Sequence, residues 1–407
     1  MNNVDTSLGQ AQDALPRLRF IPFRQTDVLE MCLSDVALSE EQRAQFERVA
    51  RYIQAHFTDE FAQIRDQIKS AYALLDPDSD TRLLPAFANP ELEADFVPLL
   101  EHTLNRANYE KVSNETLQQA LDSSSLFQLQ LHVDMSDFDE VLLYTRGASR
   151  RSETLSEFFG LWKRRVEFTN YDRVVLFIRF KDDIDADSAL GECPPGSTML
   201  KLFRNVPGAD VEMLFPNIRL GMRLIDKLVI GVPAVLSGAV MLTTRLGATL
   251  LLLGSLFGFW LGMSARPVTL DKAAVLALLA GLGALGGYLW KQFSAFRNRK
   301  LKYIQSLTEN LYFKLLDNNA GVILRVLDDA QESECKESLL AYYFLLTARG
   351  PLTAKELDER VERWIASRWQ YRLDFEVEDA LNKLLALGLA ECDNKRWTLV
   401  KAVALPT

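Results

Sequence analysis

The sequence predicts an α+β soluble N-terminal domain, an α-helical transmembrane hairpin, and a mostly α C-terminal region ending in a winged-helix-like unit. Three observations carry this expectation. Amphipathic helical runs give way to alternating strands before residue 226; two uncharged apolar stretches lie between 246 and 290; and the chain closes with two helices and a strand hairpin. The expected division is 1–226 for the soluble α+β domain, 227–292 for the membrane segment, 293–348 for membrane-proximal helices and 349–407 for the winged-helix-like domain.

In the first domain, Phe46, Val49, Ile53, Phe57, Phe61, Ile64, Ile68 and Leu75 recur at helical spacing, so Glu40 to Leu75 is read as one or two amphipathic helices. Pro77 and Pro85 mark a loop from Asp76 to Asn89. The period then changes to two. LFQLQLHVDM, residues 126–135, alternates apolar and polar residues, and DEVLLYTRG, residues 139–147, follows after a short turn, which reads as a hairpin. RVVLFIRF from Arg173 and MLKLFRNV from Met199 are two more strands.

Leu246 to Met263 and Ala273 to Trp290 each hold eighteen residues without a charge. At helical rise each gives about 27 Å, close to a bilayer core. SARPVTLDK between them, residues 264–272, is the turn. The spans are expected to pack through Gly254, Gly258 and Gly262 on one helix and Gly283 and Gly287 on the other. Leu228 to Thr244 is apolar but broken by Gly231, Pro233 and Gly238, and is read as an interfacial or tilted lead-in; a third full span would need a reversal at Thr243–Arg245. Arg219, Arg223 and Lys227 precede the segment and Lys291, Arg297, Arg299 and Lys300 follow it, which by the positive-inside rule puts both termini on the cytoplasmic side and anchors the flanks to the bilayer surface.

After the membrane segment, Lys300 to Asp317 reads as a helix, Asn318, Asn319 and Gly321 as a break, and Glu332 to Ala348 as a further helix. Thr353 to Ser367 and Phe375 to Leu387 are two more, followed by short strands at Leu389–Cys392 and Arg396–Val400. Helix, helix, hairpin is a winged-helix layout. The second helix offers Asp374, Glu376, Glu378 and Asp379 against Lys383, a face that phosphate would repel, so a protein contact is expected here and nucleic acid is not.

Composition agrees. The net charge of −9 disfavours a nucleic-acid role for the whole chain. Cys32, Cys193, Cys335 and Cys392 are far apart, and His56, His102 and His132 are isolated, so neither a zinc site nor a disulfide framework is suggested. The opening residues lack an apolar signal core.

RFIPFRQTDVLE at residues 19–30, DEVLLYTRG at 139–147, KLFRNVPGADVEMLFPNIRLGMRLIDKLVIGVP at 201–233, LYFKLLDNNAGVILRVLDDAQESECKESLLAYYFLL at 311–346 and DFEVEDALNKLLALGL at 374–389 resemble an uncharacterised family of membrane proteins typified by transmembrane protein 143. The resemblance spans nearly the whole chain. It implies the same membrane hairpin and no activity. Animal relatives are associated with mitochondria; the absence of a transit peptide favours a bacterial inner membrane, with the mitochondrial inner membrane as the alternative.

No catalytic or cofactor signature is found: no phosphate loop, GxSxG, HExxH or dinucleotide fingerprint. Arg146, at the end of a strand, and Arg204 are the candidate anion or head-group contacts, with pairing to an acid of the same domain as the competing reading for Arg146. Asp210 and Glu212 would share a face on a strand, but no nucleophile stands near them in sequence. The expected function is therefore a membrane-tethered interaction or regulatory protein contacting the lipid bilayer and an unidentified protein partner, or a second copy of itself. The alternatives are a subunit of a transport or channel assembly, and a membrane-associated enzyme acting on lipid or protein.

Overall fold

The computed structural model describes residues 17–80, 94–113, 117, 130–157, 162–183, 196–221, 257, 260–261 and 311–400, with isolated helical positions between 272 and 309. Contacts divide the chain into two units. Unit 1 comprises Met1–Ser123, Val133–Ile218 and Lys314–Thr407; unit 2 comprises Ser124–His132 and Arg219–Phe313.

In chain order the strands begin with β1 (Arg17–Leu18), β2 (Glu110–Lys111), β3 (Gln130–His132) and β4 (Phe138–Glu157). They continue with β5 (Trp162–Phe180), β6 (Thr198–Pro207), β7 (Arg219–Gly221) and β8 (Leu315–Asn318), and end with β9 (Arg372–Leu373), β10 (Ala390–Asp393) and β11 (Arg396–Leu399). The helices are α1 (Gln25–Leu33), α2 (Glu40–Tyr72), α3 (Phe96–Arg106), α4 (Ala320–Leu346), α5 (Ala354–Trp369) and α6 (Val377–Ala386).

Ser39 starts the longest of these. Its hydroxyl accepts from the Gln42 amide at 3.2 Å while the Gln42 side chain accepts from the Ser39 amide at 3.0 Å, so two otherwise unmet donors are satisfied. The 33 residues of α2 then bury Phe46, Val49, Ala50, Ile53, Phe57, Phe61 and Ile68 along one stripe. A similar capping box at Thr353 and Glu356 starts α5.

The main sheet of unit 1 runs β2-β4-β5-β6-β8, antiparallel throughout. Its register sorts the side chains onto two buried faces. Leu142, Tyr144, Val175, Phe177, Leu200 and Leu202 join the helical core, where Phe96 of α3 lies 5.6 Å from Phe177. Val174, Leu176 and Ile178 point the other way and are equally buried. In mid-strand of β4, opposite Asp172 of β5, Gly147 takes φ +69; a Cβ there would collide with the Asp172 carboxylate. Helix α4 runs through the centre, touching α1, α2, α3, α5 and α6.

The C-terminal segment continues from α4 through a bridge at Leu352, then α5, α6 and the β10–β11 hairpin; Leu352 pairs with Trp397 of β11. The order helix, helix, hairpin is the layout that the winged-helix-like expectation describes. Asn394 and Lys395 both take positive φ, 50° and 63°, which tightens the hairpin turn. The short parallel pair β1–β9 ties the start of the described chain to this segment, with the Asp374 amide donating to the Leu18 carbonyl at 2.7 Å.

The central expectation from the sequence is corrected. Among the described residues no helix is long and apolar enough to cross a membrane. An apolar run spans a bilayer only as one continuous helix of about twenty residues, and the long helices found, α2 and α4, interleave charged residues with apolar ones. This overturns the fold class with a transmembrane hairpin, the multi-pass membrane address and the membrane-tethered function. The fold is α+β, built on a five-stranded antiparallel sheet.

Most of Leu246–Met263 and Ala273–Trp290, all of 228–244, and Arg223, Lys227, Gly254, Gly258, Gly262, Arg299 and Lys300 lie outside the described residues. In unit 2, Arg219 stands in β7, which pairs with β3; Lys291 and Arg297 are exposed helical positions; and a Cβ at Gly283 or Gly287 would meet nothing within 4 Å.

Three local expectations also change. The segment read as the first half of a hairpin supplies β3, whose partner is β7, while β4 pairs with β5. The residues expected to end a helix at Asp317 form strand β8 against β6. The break at Asn319 is a strand-to-helix junction: its amide donates to the Leu200 carbonyl at 2.7 Å, its side-chain carbonyl accepts from the Leu200 amide at 3.3 Å, and its φ is +47.

Candidate functional site

On the helix-facing side of the sheet the register aligns Arg146 of β4 with Arg173 of β5, and Arg173 with Arg204 of β6. Three like charges side by side across strands repel. The row persists because Asp329 of α4 faces two of them: the Arg146 guanidinium lies 3.0 Å from its carboxylate, and Arg173 contacts the same oxygen. Tyr109 also donates to Asp329, at 3.2 Å. Burial, with Asp329 adding to it, pushes the Tyr109 hydroxyl up to about 12.

Arg146 is deeply set, 7% exposed, with its guanidinium 4.5 Å above the Phe20 ring. One more of its donors points at Ser333 Oγ, 3.5 Å away, but its buried Nε has no hydrogen-bond partner among the described residues. Native proteins leave few such groups unmet.

Beside Arg146 lies a cavity of about 200 Å³, walled by the strap Phe20–Arg24, by Asp172 and Arg173 of β5, and by Asp329, Glu332 and Lys336 of α4. Lys336, one turn beyond Glu332, is 3% exposed; its ammonium donates to the Ile21 carbonyl at 3.1 Å and to the Phe23 carbonyl at 3.0 Å. Burial pulls its affinity for a proton below the ordinary lysine value, against the pull of Glu332. The deepest charges here are cations. Arg146 and Lys336 are nearly sealed, whereas the Glu332 side chain is 39% exposed and so better screened by water.

A second charged cluster sits elsewhere on α4. Glu334 accepts from Arg106 Nε at 2.7 Å and faces Lys383 of α6; Glu337 accepts from Asn108 at 2.8 Å and from Lys383 at 2.9 Å. Arg106 also reaches Glu60 at 2.7 Å. Burial alone would lower the Lys383 ammonium, yet Glu337, Glu334 and Asp379 outweigh it and hold it above its usual value. Burial also lifts the Glu337 carboxyl, against Lys383. These two tendencies oppose each other across one contact. With three carboxylates around a single ammonium, the charged state of Lys383 is the one that governs. Lys383 is the only basic residue of α6, so that helix has no cation to offer to a phosphate backbone.

Of the candidate residues from sequence, Arg146 lies in the cavity wall; Arg204 is exposed two strands away in the same row. Asp210 and Glu212 fall on a 3-10 segment, Gly208–Leu214, and both are buried. Arg173, Asp329, Lys336 and the strap were not singled out. A signal for Lys336 did exist: charges at 334, 336 and 337 follow one another in a helix flanked by apolar turns, so no single face of α4 can keep them all in water.

Among the described residues, no group of three or more His, Cys, Asp or Glu is placed to hold a metal ion. No solved structure matches the chain. The stretch 171–321, from within β5 to the first turn of α4 and including Arg173 and Arg204, is similar to a family described as a protein of unknown function, DUF3754.

Proposed function

We propose that this chain is a binding protein for a small anion, received in the cavity beneath the Phe20–Arg24 strap. The observation that carries the reading is the buried Arg146 guanidinium at the wall of that cavity, with one donor unmet and Lys336 and Arg173 beside it. Arginine's planar fork suits carboxylate and phosphate oxygens. A volume of about 200 Å³ lies below the roughly 300–1,000 Å³ of pockets for drug-sized ligands, which favours an inorganic ion or a compact phosphorylated or carboxylated molecule. Among the described residues no Ser, Cys, Thr or His lines the cavity, and Asp329 and Lys336, which could act as nucleophiles, are engaged with Arg146 and Arg173 and with the Ile21 and Phe23 carbonyls, so binding is better supported than group transfer.

The test is calorimetric titration with inorganic phosphate, a small phosphomonoester and a small dicarboxylate. Saturable binding to at least one is expected, with affinity falling about tenfold or more in Arg173→Gln, whose half-exposed position leaves the core intact. Absence of saturable heat with all three probes, together with no rise in unfolding temperature, overturns the reading; at a hundredfold excess over the dissociation constant the added stability would be about 2.7 kcal/mol.

A further inference from the structure

Resting on that reading, we infer that occupancy of the cavity is transmitted along the strap to the C-terminal winged helix. The strap is shared property. Its inner side forms one wall of the cavity, from Phe20 to Arg24, and Lys336 holds it there through the Ile21 and Phe23 carbonyls. Its preceding residues belong equally to the winged-helix segment. Arg17 and Leu18 pair in parallel with Arg372 and Leu373, and Asp374 donates its amide to Leu18.

Two side chains reinforce this join. Arg19 bridges the sheet and the winged helix, donating to Glu110 at 3.1 Å and to Glu376, the residue before α6, at 2.5 Å. Phe23, inside the cavity wall, lies 5.5 Å from Trp369 and 5.7 Å from Tyr371, which flank the end of α5. Eight consecutive residues, Arg17 to Arg24, therefore touch both the cavity and the segment that positions α6.

An anion against Arg146 and Lys336 adds contacts to the strap's inner side and favours the charged form of the ammonium that clamps it. The strap then holds its present path more firmly, and β1–β9 and the Arg19–Glu376 link with it. Linkage requires the converse: loosening the outer anchorage must weaken anion binding by the same factor. Arg19 is outside the cavity wall and its side chain is 46% exposed, so its loss reports on transmission and not on ligand contact.

The experiment is hydrogen exchange on the full chain with and without saturating inorganic phosphate, paired with calorimetry on Arg19→Gln. Phosphate is expected to slow exchange in residues 17–24 and 372–377 together, and to alter Trp369 emission through Phe23. Arg19→Gln is expected to weaken phosphate about fivefold, at the low end of measured couplings. If phosphate binds the unaltered chain but exchange at 372–377 is unchanged and Arg19→Gln binds normally, transmission is refuted while the cavity reading stands. If phosphate does not bind, the same exchange experiment is run with whichever of the phosphomonoester and the dicarboxylate does; if none of the three binds the unaltered chain, both fall together.

Discussion

Helix α4 carries two buried charge clusters, and they are built differently. Around Lys383 two basic groups, Lys383 and Arg106, meet four carboxylates, Glu60, Glu334, Glu337 and Asp379. Around Arg146 the basic groups Arg146, Arg173 and Lys336 outnumber the one deeply set carboxylate, Asp329, and a space of about 200 Å³ adjoins. Buried charge alone therefore says little about function. What distinguishes a fastening from a receptor site is whether the charges are matched internally or left facing a space that something else can enter.

The largest expected effect breaks the fastening. Lys383→Met leaves Glu334 and Glu337 together without their shared ammonium, and removing one partner of a buried pair costs about 3–5 kcal/mol. Urea unfolding would read this directly; a loss under 1 kcal/mol would show the cluster to be solvated. Next, Gly147→Ala places a side chain at φ +69 and against Asp172, which should cost about 1–3 kcal/mol by the same assay. Arg146→Met should cost less than Lys383→Met, because Asp329 keeps Arg173 and Tyr109, yet it should abolish phosphate binding. Stability loss without binding loss would reverse the assignment of the two clusters.

The smallest effect is on pH dependence. Burial holds the Lys336 proton affinity below the ordinary lysine value, so between that lowered value and about 10.5 the unfolded chain binds more protons than the folded one. Stability contributed by this group therefore rises with pH through that window and is lost as pH falls through the folded value. Lys336→Met should remove that slope from the difference between the two stability profiles; an unchanged slope would mean that Lys336 is hydrated. Anion affinity should fall over the same window as the ammonium loses its charge.

Much of the fold was legible where one residue's surroundings are local. The 3–4 spacing from Phe46 to Ile68 and the apolar runs in Arg173–Phe180 and Met199–Val206 are set by neighbours in the chain. Strand β8 was misread because Leu315–Asn318 has no period of its own; its conformation is dictated by the exposed ladder of β6, more than a hundred residues earlier. The membrane expectation failed for a related reason. It was read from uncharged stretches alone, whereas among the described residues no helix is long and apolar enough to cross a membrane. The candidate site was half visible: Arg146 stood out beside Gly147, although β4 does not end there but runs on to Glu157, and its partner Asp329 and its cavity neighbour Lys336 join it only through tertiary packing.

Strand β8 also bears on how the protein is made. Until Leu315 leaves the ribosome, β6 has a row of backbone donors and acceptors with no strand to receive them, and α4, the centre of the helical layer, does not yet exist. About a hundred residues separate Ile218 from Leu315, which at typical elongation speeds is roughly 5–20 s. During that interval the nascent chain presents a sticky sheet margin, the kind of surface that invites mispairing between neighbouring polysomal chains. Synthesis of this protein should thus depend on a chaperone more strongly than its size suggests, and fragments ending before residue 314 should be recovered mainly as inclusion bodies.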